Sequence, residues 1–113
     1  MFLWLDDVRP APVGWTWVRN VDHAVTCMMG GDVAAASLDH DLGDQFPFGG
    51  DGTKFTDWMA EHDCWPYLGI RVHSSNPVGS SAMLATIDRY GPYTRAHGRT
   101  RGSEEPFASI RFS

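Results

Sequence analysis

The stretch Ala36-Ser37-Leu38-Asp39-His40-Asp41-Leu42-Gly43 decides the fold predicted for this chain. Small and apolar residues lead into two acids that flank a histidine, and a glycine follows. This is the pattern of a buried strand that ends at a polar site. The pattern recurs in Phe2–Leu5 followed by Asp6-Asp7, and in residues 68–72 followed by His73-Ser74-Ser75-Asn76-Pro77. Because ligands bind at the carboxyl edge of an open parallel α/β sheet, we expect a site where these three runs end.

The remaining patterns predict a second strand and three helices. The second strand is expected over residues 15–19, and the third over residues 33–38. A capping residue should precede each helix: Asn20 for the first, Asp51 or Thr53 for the second, and Asn76, followed by Pro77, for the third. The third helix should end before Gly91-Pro92.

The first connection should contain no helix, because residues 7–14 hold two prolines and a glycine. The order of elements therefore predicts a small three-layer α/β fold with a receiver- or flavodoxin-like topology. We expect a mostly parallel sheet of four to five strands with helices on both faces. A proline-rich loop should replace the first crossover helix.

The 113 residues are expected to form one domain. Its core should span residues 2–93, followed by a flexible basic segment at 94–106 and a candidate last strand at 107–112. The glycine-rich segment 43–52 lies beside the expected site. It is either a lid over that site or an ordinary connector.

Charge and cysteine content restrict the classes of partner. The net charge of −5 argues against general binding to nucleic-acid duplexes, but it leaves room for a small phosphate-bearing ligand. Cys27 and Cys64 are too few for a disulfide framework and are expected to be reduced. The apolar run at residues 2–5 is far too short for a signal or membrane segment, so a cytoplasmic protein is the default expectation. The sequence does not determine the oligomeric state.

Four carboxylates should converge where the first and third strands end. Those strands are neighbours in a flavodoxin-like order, which brings Asp6 and Asp7 close to Asp39 and Asp41. Like charges at short range are unfavourable unless a cation or a proton offsets them. Oxygen-only clusters suit Mg²⁺ or Mn²⁺, so we expect a divalent metal site. The alternative is that single aspartates cap loops or helices.

Two histidines are candidates for proton transfer. His73 ends the fourth strand, where an imidazole beside a phosphate ester could act as a general acid or base. His40 lies between two acids, and strand alternation could turn it to the opposite face, so a supporting or core role is the alternative. Asp39 and Asp41 complete the candidate catalytic set.

The start of the third helix is a candidate anion site. Its first amides are free, and the side chains of Ser74, Ser75 and Asn76 add hydrogen-bond donors. Gly79 would allow a ligand to approach the first turn closely, and Arg9 could clamp the same anion. Arg71 alternates with the core-facing residues of its strand, which is typical of a surface residue.

Three motifs resemble the cyclic-phosphate-processing receiver-like family. They are Leu5-Asp6-Asp7-Val8-Arg9-Pro10, Leu38-Asp39-His40-Asp41-Leu42-Gly43 and His73-Ser74-Ser75-Asn76-Pro77-Val78-Gly79, with Met83 after the last. The resemblance covers residues 2–90 and implies a degenerate response-regulator receiver fold. It also implies an acidic pocket that binds or processes cyclic phosphates on nucleotides or RNA ends.

In ordinary receivers an acid pair holds Mg²⁺ and a later aspartate is phosphorylated. By this resemblance Asp6 and Asp7 match the first role, and Asp39 or Asp41 matches the second. The chain departs from that pattern in three ways. Pro10-Ala11-Pro12 stands in place of the first helix, and His73 stands where a hydroxyl residue usually ends the fourth strand. The lysine that ends the fifth strand of receivers has no candidate here, since Lys54, the only lysine, falls in the second helix. These departures argue against phospho-relay signalling.

Three functional hypotheses follow. The first is a metal-assisted cyclic phosphodiesterase or phosphoesterase. The second is a binder that sequesters a cyclic nucleotide immune signal without turnover, as phage counter-defence proteins do, with Trp15 and Trp17 among the aromatics that could stack on bases. The third is an atypical receiver signalling module.

Overall fold

The computed structural model of the chain describes residues 1–42 and 51–93. Its elements in chain order are β1 (Phe2–Leu5), β2 (Trp15–Val18), α1 (Val21–Met29), β3 (Ala35–Leu38), α2 (Gly52–His62), β4 (Gly69–Val72) and α3 (Pro77–Tyr90). The four strands are all parallel and lie in the order β2-β1-β3-β4. The predicted α/β, receiver-like class is confirmed, and the connection from β1 to β2 contains no helix.

The three described helices share one face of the sheet. The steps from β2 to β3 and from β3 to β4 run in the same direction across the sheet, so right-handed crossovers place α1 and α2 on the same side. Helix α2 contacts both α1 and α3. Within residues 1–42 and 51–93 the expectation of three layers, with helices on both faces, is therefore not met. The step from β1 to β2 runs in the opposite direction, and the proline-rich loop takes the place of the helix that would cover the second face.

Alternation along the strands separates an apolar face from a mixed one. The apolar face, built from residues such as Leu5, Leu38 and Val72, joins the buried residues of all three helices in one core. The second face carries Trp4 and Arg71, and both are buried. Arg71 is only 7% exposed, so the expectation of a surface residue is wrong.

The predicted helix caps are confirmed. Asn20 accepts a hydrogen bond from the amide of His23, and Asp51 accepts one from the amide of Thr53. Asn76 accepts from the amide of Gly79. Each cap satisfies an amide that has no partner within its helix, which fixes where the helix begins.

Several expectations concern residues outside the described ranges. They are the lid or connector role of the segment 43–52, of which residues 43–50 are not described, the flexible basic segment at 94–106 and the candidate strand at 107–112. Among the described helices, none combines the length and apolar character needed to cross a membrane. Cys27 and Cys64 are free and partly buried, and burial raises the pKa of the Cys27 thiol.

Candidate functional site

Backbone hydrogen bonds continue past the ends of three strands and align the polar residues that follow them. The amide of Asp39 donates to the carbonyl of Leu5 over 2.8 Å, and the amide of His73 donates to the carbonyl of Leu38 over 2.8 Å. The amide of Asp6 donates to the carbonyl of Val18 over 3.1 Å. Asp6, Asp39 and His73 therefore lie side by side at the carboxyl edge of the sheet.

Three carboxylates meet at this edge. Oxygens of Asp6, Asp7 and Asp39 all lie within 4.8 Å of one another, and we call these residues the acidic trio. Asp6 is 1% exposed and Asp39 is 8% exposed. Burial, and then the charge of Asp6, raise the pKa of Asp39, while hydrogen bonds from the Ser74 side chain and nearby backbone amides partly offset the rise. The trio is therefore a place where a positive charge would be stabilised.

Asp6 is held in a single orientation by its neighbours. Its Oδ1 accepts hydrogen bonds from the amides of Val8 at 2.9 Å and Arg9 at 2.8 Å. Its Oδ2 lies 3.0 Å from Nε2 of His73 and 4.0 Å from Nε of Arg9. Its backbone carbonyl accepts a hydrogen bond from the indole of Trp17 at 2.7 Å. With these contacts the loop fixes the position of one member of the trio.

His73 is enclosed on the second face of the sheet. Its Nδ1 lies 2.7 Å from Oγ of Ser37, which also accepts a hydrogen bond from Nε of Arg71 at 3.0 Å. Its ring stacks on Trp4, with ring centroids 4.0 Å apart and planes 8° apart. Burial lowers the pKa of His73 to about 4, against an opposing effect of Asp6. The imidazole is therefore neutral near pH 7, and both of its nitrogens already have partners.

Asp41 lies apart from the acidic trio. Its Oδ1 is 2.7 Å from Nδ1 of His40 and accepts a hydrogen bond from Nδ2 of Asn76 at 3.2 Å. Both contacts lower the pKa of Asp41, and the contact with His40 has the larger effect. On its other side, Nε2 of His40 lies 3.5 Å from Oδ2 of Asp51. The four acids predicted to act together are thus divided, with Asp41 joined to His40 on the helical side of the sheet.

The predicted anion-binding residues have contacts of their own. Asn76 uses its side-chain oxygen to cap α3, and Oγ of Ser74 accepts a hydrogen bond from the amide of Asn76 at 3.1 Å. Ser75 is exposed. At Gly79 an added Cβ would lie 2.3 Å from Cγ of His40, so the imidazole occupies the space expected for a ligand.

Arg9 is an accessible basic group beside the trio. Its side chain is 52% exposed, and its Nη1 donates to the carbonyl of His73 at 3.3 Å. The guanidinium thus lies beside both Asp6 and the end of β4. This position leaves it able to contact an anion in the solvent-facing part of the site.

Sequence reasoning missed three residues that surround His73. Trp4, Ser37 and Arg71 lie within strands, and none of them was assigned to the site from the sequence. Trp4 pairs with Ser37, and Ser37 pairs with Arg71, in the register of the sheet. Strand alternation was the available signal, since it places them on the same face as Asp6, Asp39 and His73.

The donor set of the trio fits a hard divalent cation. All of its side-chain donors are carboxylate oxygens, which suit Mg²⁺ or Mn²⁺. Neither Asp41 nor a cysteine belongs to this group.

A scan against protein-family models matches residues 1–89 to a cyclic-phosphate processing receiver domain. The match includes all three strand ends described above. No curated protein and no solved structure matches the chain.

Proposed function

Since the chain belongs to the family of cyclic-phosphate processing receiver domains, we propose that it binds a cyclic phosphate beside the acidic trio and opens the ring by hydrolysis. The ligand class would be a cyclic nucleotide or an RNA end with a 2′,3′-cyclic phosphate. The observation that carries the proposal is the convergence of Asp6, Asp7 and Asp39 within 4.8 Å at the carboxyl edge of the sheet.

In this proposal the trio would hold Mg²⁺ or Mn²⁺. A bound divalent cation would supply Lewis acidity toward the phosphoryl oxygens and activate water. It would also offset the burial and the charge of Asp6, which together raise the pKa of Asp39. Asp6 is already held by two backbone amides, so its position needs no rearrangement to serve as a ligand.

Arg9 and the start of α3 would orient the phosphate. The half-exposed Arg9 guanidinium can donate two parallel hydrogen bonds to a phosphate. Ser74 forms a side-chain hydrogen bond with Asp39, which places its hydroxyl beside the trio, and Ser75, the next residue, is exposed. Asn76 and Gly79 would contribute indirectly, because the first caps α3 and the second packs under His40.

His73 would support the site rather than transfer a proton. Its two ring nitrogens lie within hydrogen-bonding distance of Ser37 and Asp6, and its side chain is 7% exposed. A general acid or base must reach the substrate directly or through one water. In its described position Nε2 of the imidazole instead lies 3.0 Å from Oδ2 of Asp6.

An exposed aromatic residue on the second face, Trp17, favours a nucleotide over a simple phosphate ester. Trp17 is 36% exposed and Phe2 is 41% exposed. The Trp17 indole bonds to the backbone of Asp6, and the guanidinium of Arg19 lies 5.0 Å from its ring centre. The Trp17 ring, this close to the trio, could stack on the base of a nucleotide, whereas Phe2 lies at the opposite end of β1.

The proposal is tested by incubating the protein with 2′,3′-cyclic nucleotides and cyclic dinucleotides. Reactions contain Mg²⁺, Mn²⁺ or a chelator, and products are separated by chromatography. Wild-type protein should yield ring-opened product only with metal, and Asp39→Asn should yield none. Asp57→Asn, at an exposed position in α2, is the matched control and should behave as wild type. Intact substrates throughout would refute the hydrolytic reading.

The enclosed position of His73 favours one alternative, a binder without turnover. If no side chain can transfer a proton during ring opening, the same pocket would bind and sequester a cyclic nucleotide signal without hydrolysing it. Unaltered nucleotide recovered after denaturing the complex would favour the binder. A ring-opened product would favour the hydrolase.

A further inference from the structure

Four buried side chains on the second face form a hydrogen-bonded row that ends at the acidic trio. Nε of Arg71 donates to Oγ of Ser37 at 3.0 Å, Oγ of Ser37 lies 2.7 Å from Nδ1 of His73, and Nε2 of His73 lies 3.0 Å from Oδ2 of Asp6. Ser37 is 0% exposed, Arg71 is 7% exposed and Asp6 is 1% exposed. We call these four residues the Arg71–Asp6 row.

The chemistry of the two ends fixes the direction of the hydrogen bonds. A guanidinium only donates, so the Ser37 oxygen accepts from Arg71 and can direct its own proton to Nδ1 of His73. An ionised carboxylate only accepts, so Nε2 of His73 must carry the hydrogen that meets Asp6. A neutral imidazole satisfies both conditions when its single proton is on Nε2.

The ring has little freedom to leave this orientation. Trp4 stacks on one face of the His73 ring, and the indole is itself tied to the carbonyl of Arg9 at 3.0 Å. A rotation of the ring by half a turn about the Cβ–Cγ bond would put Cδ2 where Nδ1 now lies. The buried Ser37 hydroxyl would then have no acceptor on the ring. Such an unpaired buried group is costly.

We propose that Ser37 and Arg71 are positioning residues that hold the His73 imidazole with its Nε2–H directed at Asp6, and so orient one carboxylate of the acidic trio. The consequence for cation binding rests on the proposed function, whereas the orientation of His73 does not. Partners behind a ligating carboxylate matter because they fix the direction of its lone pairs.

The orientation is tested by NMR on protein labelled with ¹⁵N at histidine and free of ligand. Long-range ¹H–¹⁵N spectra distinguish the two tautomers, and His73→Gln identifies the His73 signals by their loss. Wild-type protein should show the Nε2–H form, with a proton that exchanges slowly with solvent. In Ser37→Ala the exchange of this proton should be roughly tenfold faster, because the ring is held from one side only.

Two further variants serve as controls. Ser37→Thr keeps the hydroxyl and should restore slow exchange. Thr56→Val removes a buried hydroxyl from α2, away from the row, and should leave the His73 signals unchanged. If Ser37→Ala does not fold, Arg71→Met tests the same row from its other end and should also accelerate exchange. An Nδ1–H form in the wild type, or unchanged exchange in the row variants, would overturn the proposal.

Titration with Mn²⁺ tests the consequence separately. Ser37→Ala should bind Mn²⁺ about tenfold more weakly than wild type, and Thr56→Val should bind equally well. Equal affinity in Ser37→Ala, despite faster exchange, would overturn the link from the row to the cation. Failure of the wild type to bind Mn²⁺ would count against the proposed metal site, while the NMR result alone would still decide the orientation of His73.

Discussion

The imidazole of His73 stacks on the indole of Trp4, with the ring centroids 4.0 Å apart. The histidine is thereby buried at the end of β4, although the sequence around it, His73-Ser74-Ser75-Asn76, is polar. A stacked and buried imidazole resists protonation, which has consequences for stability as well as for function.

Acid should destabilise the protein through His73. Its pKa in the folded state, about 4, lies below the ordinary value of 6.5, so the unfolded chain binds more protons between these pH values. The free energy of unfolding should therefore fall as the pH drops through this window, by about 3 kcal/mol in total. Urea unfolding of the metal-free protein at a series of pH values measures the effect.

The control for this prediction is His73→Gln, whose amide can still donate to Asp6 but does not titrate. The pKa of Asp39 is raised, so its protonation increases the free energy of unfolding as the pH falls. This effect is present in both proteins and cancels in the comparison. Wild type should lose more stability than His73→Gln on acidification. Parallel curves would show that His73 is not buried as a neutral group.

Gly79 should be required because of His40. A Cβ at this position would lie 2.3 Å from Cγ of the imidazole, so Gly79→Ala should reduce the free energy of unfolding by about 1–3 kcal/mol. In a His40→Ala background the same change should be neutral, or stabilising by up to about 1 kcal/mol, because alanine favours helix. The comparison is made by urea unfolding of the wild type, Gly79→Ala, His40→Ala and the double variant. An equal cost in both backgrounds would contradict the contact.

Trp17 should contribute to nucleotide binding through its ring. Trp17→Phe keeps a stacking surface but loses the hydrogen bond to the carbonyl of Asp6, and Trp17→Leu loses both. The leucine variant should bind a cyclic nucleotide roughly tenfold more weakly than the phenylalanine variant, since base stacking contributes about 1–3 kcal/mol. Isothermal titration of both variants measures this, with inorganic phosphate as the ligand that should not distinguish them. Equal nucleotide affinities would exclude stacking on Trp17.

Much of the fold follows from local signals in the sequence. Residues 7–14 exclude a helix through proline, and the capping residues Asn20, Asp51 and Asn76 locate three helix starts within the described residues. The arrangement of the layers was harder to predict from the sequence, because it depends on the direction in which each crossover runs across the sheet. The absent first helix removes the covering that such a fold normally places on the second face.

The candidate site was only partly accessible to sequence reasoning. Alternation past the end of β3 correctly separates Asp39 from His40, but it does not extend to Asp41, which lies in the loop beyond. The partners of His73 come from β1, β3 and β4, so they depend on strand register rather than on a local motif. Ser37 and Arg71 therefore resemble ordinary strand residues until the sheet is assembled.

The acidic trio should couple the binding of a divalent cation to the binding of a cyclic phosphate. The most direct measurement is the affinity for a 2′,3′-cyclic nucleotide, by isothermal titration, with saturating Mn²⁺ and with a chelator. Wild-type protein should bind at least about tenfold more tightly with Mn²⁺, a coupling of about 1.4 kcal/mol, and Asp39→Asn should show no difference. Equal affinity of the wild type in both conditions, with Asp57→Asn behaving likewise, would show that the trio does not couple a cation to the ligand.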